Sequence, residues 1–242
     1  MTTMEVDPPK SNKELFDELA MLLREARAEE AKRMLNRTPI LIETKDDTGR
    51  STIHHAAVGG CLPIVQFALI AFPATINAPD DMGWTPLMIA SSAGRAEVVD
   101  FLLRQPTIDV KASNKNGQTS LHYAASKNHR DVVKKLLDAG ADINAADKLG
   151  ATALHRSSSQ GHELLVRYLL SNERIRLDPR DSEGNTPLHL AIDENREDVA
   201  LMLARKGASL ETANKDGKTP LQLVKTSTFL GKLKHAAQQA NQ

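Results

Sequence analysis

The sequence is short of cysteine, of aromatic rings, of net charge and of long apolar runs, and each shortage closes off a class of protein. One cysteine, Cys61, stands in 242 residues, so no disulfide can form within the chain and no zinc site can rest on paired cysteines. That usage fits a reducing compartment, and MTTMEVDPPKSN at the start holds no apolar stretch to serve as a secretion signal. The expected setting is therefore the cytoplasm and the nucleus. Aromatics make up 3% of the residues, so a core must come from Leu, Ile, Val, Ala and Met, which suits close-packed helices better than a sandwich of bulky strands. Lys plus Arg and Asp plus Glu each total 31, and a net charge of zero argues against nucleic acid, whose phosphates demand clustered cations. The longest apolar run, FALIAFP from Phe67 to Pro73, is far too short to cross a bilayer, so no membrane partner is expected.

What is present is repetition. GRSTIHHAA begins at Gly49, GWTPLMIAS at Gly83, GQTSLHYAA at Gly117, GATALHRSS at Gly150, GNTPLHLAI at Gly184 and GKTPLQLVK at Gly217, in steps of 34, 34, 33, 34 and 33 residues. A constant period of this size marks stacked units, each able to bury its apolar face only against a neighbour. Within a unit, Asn185-Thr186-Pro187-Leu188-His189 reads as a helix start, with threonine as N-cap and proline in the first turn. Nine residues after the cap position stands Gly60, Gly94, Asn128, Gly161 or Asn195, a residue at ease with positive φ and suited to ending the first helix. Spacing such as Val132, Val133, Leu136, Leu137 predicts a second helix. Three residues before each glycine comes Asp46, Asp80, Asn114, Asp147, Asp181 or Asn214, able to hydrogen-bond its own turn. The 33-residue steps follow units whose second helix ends on Gly140 or Gly207, and the 34-residue steps lack that glycine, so the extra residue is expected to make the reversal without it.

The Thr/His/Asp cluster in DSEGNTPLHLA looks catalytic until its copies are compared. His54, His122, His155 and His189 share one position with Met88 and Gln222, an exchange no catalytic residue tolerates, so these histidines are expected to bond the turn and the cap. His54-His55 and His162-Glu163 are too isolated for a metal site. Cys61 has no base beside it in sequence and reads as an inert thiol, and no glycine pattern matches a phosphate loop. Neither enzyme, cofactor nor metal is expected.

The turn-and-two-helices unit with T-P-L-H resembles the ankyrin repeat over roughly Asp46 to Lys225. It implies an all-α ankyrin-repeat solenoid of about seven stacked helix-turn-helix repeats with finger-like turns. The expected layout is a disordered tail over 1–11 and a single domain over 12–242. That domain comprises a degenerate first repeat at 12–45, six recognisable repeats at 46–227 and a C-terminal cap at 228–242.

In such an array function belongs where repeats differ, at the turn tips and the ends of the first helices, which line the concave face. The candidate partner-binding residues are Asp47, Arg50, Asp81, Met82, Trp84, Lys115, Lys127, Arg156, Glu183, Asp193 and Glu194. Counting the degenerate repeat as the first, acids lead in the second and third fingers, bases in the fourth and fifth, and acids in the sixth. Trp84, the only tryptophan, is expected to stand exposed at a tip as an interface anchor. MGWTPLMIASSAGRAE, NKNGQTSLHYAASKN, EGNTPLHLAIDEN and KTPLQLVK are similar to the gankyrin family of proteasome regulatory subunits and assembly chaperones. That resemblance implies a chain, monomeric by itself, whose concave face binds the C-terminal domain of a AAA-type ATPase subunit of the proteasome regulatory particle. In it Asp47, Asp81 and Trp84 would meet basic partner residues, and Arg50 and Lys127 acidic ones. The vertebrate Leu-x-Cys-x-Glu motif for retinoblastoma binding is not matched, since Leu190 to Glu194 carries no cysteine. An ankyrin adaptor or inhibitor of a kinase or a transcription factor is the alternative.

Overall fold

Each finger is built by one side chain. In the computed structural model, which describes residues 10–240, Oδ1 of each of the six Asp or Asn residues accepts two backbone N–H groups. The donors lie two and four residues further on, at 2.8 to 3.1 Å. Local hydrogen bonding of this kind is what keeps Asp and Asn out of helices and places them in turns. The finger then gives way to a helix capped by Ser51, Thr85, Thr119, Thr152, Thr186 or Thr219, all with extended backbone.

Fourteen α-helices follow one another among the described residues, with no strand beyond two isolated bridges, Lys45 with Ser51 and Ser113 with Thr119. The chain divides into two compact units, one ending at Ile108 and one starting at Asp109. The first holds α1 (Asn12–Arg24), α2 (Ala28–Arg37), α3 (Thr52–Gly59), α4 (Leu62–Ala71), α5 (Pro86–Ser92) and α6 (Ala96–Leu103). Its inner row is α1, α3 and α5, its outer row α2, α4 and α6, and each helix packs on its neighbours in the row and on its pair. The second unit holds α7 (Ser120–Ser126), α8 (Arg130–Asp138), α9 (Ala153–Gln160), α10 (Glu163–Leu170), α11 (Pro187–Asp193), α12 (Glu197–Arg205), α13 (Pro220–Leu223) and α14 (Ser227–Gln239). Here α7, α9, α11 and α13 form the inner row, and α14 covers α12. The cores are aliphatic, as the composition requires: Leu19, Leu23, Ile53, Ile64, Leu87, Met88 and Leu102 in the first unit, Leu121, Leu136, Leu154, Leu165, Leu188 and Leu203 in the second.

The ends of the inner helices follow the expectation. Gly60, Gly94, Asn128, Gly161 and Asn195 all have φ between 56° and 78°. The 33-residue steps turn on Gly140 at φ 90° and Gly207 at φ 99°, and the step after α4 replaces that turn with a 3-10 helix, Pro73–Asn77. The first repeat departs most from the pattern. Its inner helix α1 runs 13 residues, started by a reciprocal capping box between Ser11 and Glu14, and the reversal into α2 places Ala26 at φ 57°. Of the tail expected over 1–11, residues 1–9 lie outside the described residues. Lys10 bonds Glu18 at 2.7 Å and Ser11 caps α1, so both belong to the fold.

Candidate partner-binding surface

The shared histidine ties four of the repeats to the next. The Ser51 N–H donates to His54 Nδ1 at 3.2 Å, which fixes the neutral ring with its proton on Nε2. That Nε2–H reaches the carbonyls of Ala78 at 2.9 Å and Trp84 at 3.2 Å, at the base of the following finger. His122, His155 and His189 repeat the arrangement, taking the N–H of Thr119, Thr152 and Thr186 and donating to Ala151, Asn185 and Lys218 at 3.0 to 3.1 Å. The ring stands where a capping box ordinarily carries Glu or Gln. Gln222 fits this reading, since its Oε1 accepts the Thr219 N–H at 2.8 Å. Burial holds the His54 ring down to about 4 and shifts His122, His155 and His189 in the same direction.

Fingers are also joined tip to tip by backbone. Within the first unit Asp81 N–H donates to Thr48 C=O at 3.0 Å; within the second, Lys148 N–H bonds Asn116 C=O, Ser182 bonds Leu149 and Lys215 bonds Glu183, at 2.7 to 2.9 Å. These bonds occupy main chain only, so the tip side chains point where the fold has no use for them. Asp47, Asp81, Met82, Lys115, Lys127, Glu183, Asp193 and Glu194 are all exposed. Asp47 pairs with Lys13 at 2.9 Å, a surface pair of small energetic weight with Asp47 84% exposed.

Three candidates are placed differently. Trp84 is half-buried rather than exposed, because it lies four residues past Asp80, at the finger's base. There its N–H is held by Asp80 Oδ1 and its carbonyl accepts from the Asp80 N–H and from His54. Arg50 stands at the same position one repeat earlier, and its Nε bonds Oδ2 of the buried Asp80 at 3.0 Å. Arg156 bonds Oδ2 of the buried Asp147 at 2.6 Å. Both cations therefore serve the fingers of their own unit. Sequence reasoning missed the rule behind Arg156: nine residues after the finger acid, His55 bonds Asp46 at 2.9 Å and the Tyr123 hydroxyl accepts from Asn114 at 2.7 Å. A polar residue at that spacing is the signal that could have revealed it. Burial opposes ionisation of Asp46, but bonds from Thr48, Arg50 and His55 outweigh it and bring the carboxyl to about 2.

In the second unit the fingers and inner helices enclose a cleft of about 310 Å³, lined by Leu149, Arg156, Asp181, Glu183, Ser126 and Leu190 among others. It brings Arg156 and Glu183 together beside Leu149, which is 60% exposed, and Ser126 at its edge leads directly into Lys127. Cys61 is buried at the start of α4, and burial pushes its thiol pKa up, away from the reactive thiolate. Among the described residues no group of His, Cys, Asp or Glu is arranged to hold a metal, and no helix is long and apolar enough to cross a membrane.

Comparison with known proteins agrees with this architecture. The family model for ankyrin repeats (3 copies) matches residues 19–114, 53–147 and 143–214. No curated protein matches the chain. Among solved structures, the ankyrin repeat domain of Bcl-3, described as a unique member of the IkappaB protein family, superposes with a TM-score of 0.75 at 23% identity. The match covers 89% of this chain and 97% of that one, a likeness of fold. Repeats of this family are protein-binding scaffolds, and with its finger acids, capped inner helices and family match over residues 19–214, the chain belongs to the ankyrin-repeat family.

Proposed function

We propose that the chain is a cytoplasmic and nuclear assembly chaperone of the proteasome regulatory particle, binding the C-terminal domain of a AAA-type ATPase subunit through its finger tips. The observation that carries this reading is the division of labour within each finger. The acid and the turn backbone are consumed by the fold, while Asp47, Asp81, Lys115, Lys127, Glu183, Asp193 and Glu194 are left at the surface. Their order supports a partner with basic, acidic and basic patches, because charge placed this way sets specificity and docking register more than affinity. The likeness of the stretches Met82–Glu97, Asn114–Asn128 and Glu183–Asn195 to the gankyrin family supports the choice of that partner.

The test is titration calorimetry of the full chain against that ATPase domain, with Lys127→Glu and Asp81→Lys as variants. Both residues are exposed and leave the finger hydrogen bonds untouched. Arg50→Glu is unsuitable, since it would set a second carboxylate against buried Asp80. A one-to-one complex weakened by about tenfold in each folded variant supports the reading. Absence of binding by the wild type sinks it and leaves an adaptor or inhibitor of another protein, such as a kinase or a transcription factor.

A further inference from the structure

Between Arg50 and Asp80 the sequence contains no Asp, Glu, Lys or Arg. The outer helix of that stretch, α4, therefore shows solvent an uncharged face: Pro63, Gln66, Ile70 and Ala71 are exposed, with Phe67 half-buried among them. Ile70 is 82% exposed. The equivalent position on the other outer helices carries Asn36, Arg104, Asp138, Ser171 or Arg205, so the repeat itself does not require an apolar side chain there. Contiguous exposed apolar surface of this kind marks an interaction site.

We propose that the outer face of α4 is a self-association surface, covered by a second copy of this chain related by a two-fold axis running along the helix. The choice of occupant rests on the rims. On one side of α4 packs α2, whose exposed charges are Lys32, Arg33 and Arg37 with Glu29. On the other packs α6, which presents Glu97 and Asp100 along its length, with exposed Arg95 and Arg104 at its two ends and Arg104 bonded to Asp100 at 2.6 Å. Rotation about an axis parallel to α4 sets the α2 of each copy against the α6 of the other, so cations meet acids while α4 meets α4. An axis across the helices would instead set α2 on α2, cation on cation. A foreign partner would need an uncharged centre with acidic and basic rims in the right order, and a second copy possesses these by symmetry.

Three outer helices about 15 Å long and about 9 Å apart offer on the order of 400 Å² per copy. The total of about 800 Å² falls below the range of stable interfaces and within that of transient ones, so the dimer is weak and concentration-dependent. The proposal departs from the monomer expected from the sequence. The surface lies apart from the finger tips, so partner binding stands or falls independently.

Sedimentation equilibrium on the full chain from about 5 to about 500 μM tests it, that range bracketing a weak dimer. The wild type is expected to pass from monomer to dimer. Ile70→Lys, a change at a solvent-facing position, is expected to raise the dissociation constant at least about tenfold with an unchanged circular dichroism melt. Arg33→Glu is expected to weaken the dimer, and Asp100→Lys in the same chain to restore it. A wild type that stays monomeric throughout, a dimer indifferent to Ile70→Lys, or a charge reversal that restores nothing would overturn the proposal.

Discussion

At the scale of the residue, the histidine of T-P-L-H does two jobs with two nitrogens, and they can be separated. His155→Ala removes both the acceptor for Thr152 N–H and the donor to Asn185 C=O, leaving the buried Thr152 N–H unpaired and Asn185 C=O with the Asp181 N–H alone. The expected loss is about 3 kcal/mol, read from urea midpoints. His155→Gln should lose roughly half as much, because Gln222 shows that an amide performs the capping half. Protonation separates the jobs differently. With its ring held down to about 4 against an ordinary 6.5, His54 binds a proton more readily in the unfolded chain. Its contribution is complete above pH 6.5 and is lost as pH falls toward 4, a change of about 3 kcal/mol. Asp46, at about 2, adds its own loss only below the ordinary carboxylate range. Urea titrations between pH 7 and pH 4 should show the decline, and His54→Gln should lessen it, the remainder coming from His122, His155 and His189, which burial lowers in the same direction. The sequence made the histidine legible as a structural residue because six copies could be compared. It left His55, Tyr123 and Arg156 unread, because their partners become visible only when the finger closes back on the helix.

At the scale of the element, the first repeat shows where periodicity stops being informative. Leu15, Leu19, Leu22 and Leu23, then Ala31, Met34 and Leu35, recur at helical spacing, and α1 and α2 are there. What the pattern could not convey is that α1 is longer than any inner helix after it and crowds the end of α3. A Cβ at Gly59 would collide with the Leu23 carbonyl oxygen, a backbone atom that cannot swing aside. Gly59→Ala is therefore expected to destabilise the chain by about 2 kcal/mol or more, although alanine is the better helix former by about 1 kcal/mol. The equivalent Ala93→Gly carries no such relief and should lose only that helix propensity. Comparing the two in denaturant melts isolates the contact between α1 and α3.

At the scale of the whole molecule, stability is distributed as neighbour-to-neighbour terms within each unit. Of the inner helices after α1, the two without the histidine, α5 with Met88 and α13 with Gln222, are the last of their respective units. Loss of a histidine should accordingly be felt locally. In hydrogen exchange, His155→Ala is expected to release amides of α9 and α11 while those of α1 to α4 keep their wild-type protection; uniform loss across the chain would refute this. The fold class was legible because the period repeats six times. The surroundings of individual tip residues were less so: Arg50 and Arg156 bond buried finger acids and Trp84 lies half-buried at a finger's base, since only packing decides which side of a finger faces inward.

The finger itself has one more consequence. Because Oδ1 grips main-chain N–H groups and neighbouring tips within a unit are joined through main chain, the bonds that build the fingers do not read the identity of the residues at 47, 81, 115, 148, 182 or 215. Tips can be transplanted from one repeat to another as loops on a shelf, and the lineage of such a chain is free to rewrite what it recognises one finger at a time without having to learn again how to fold.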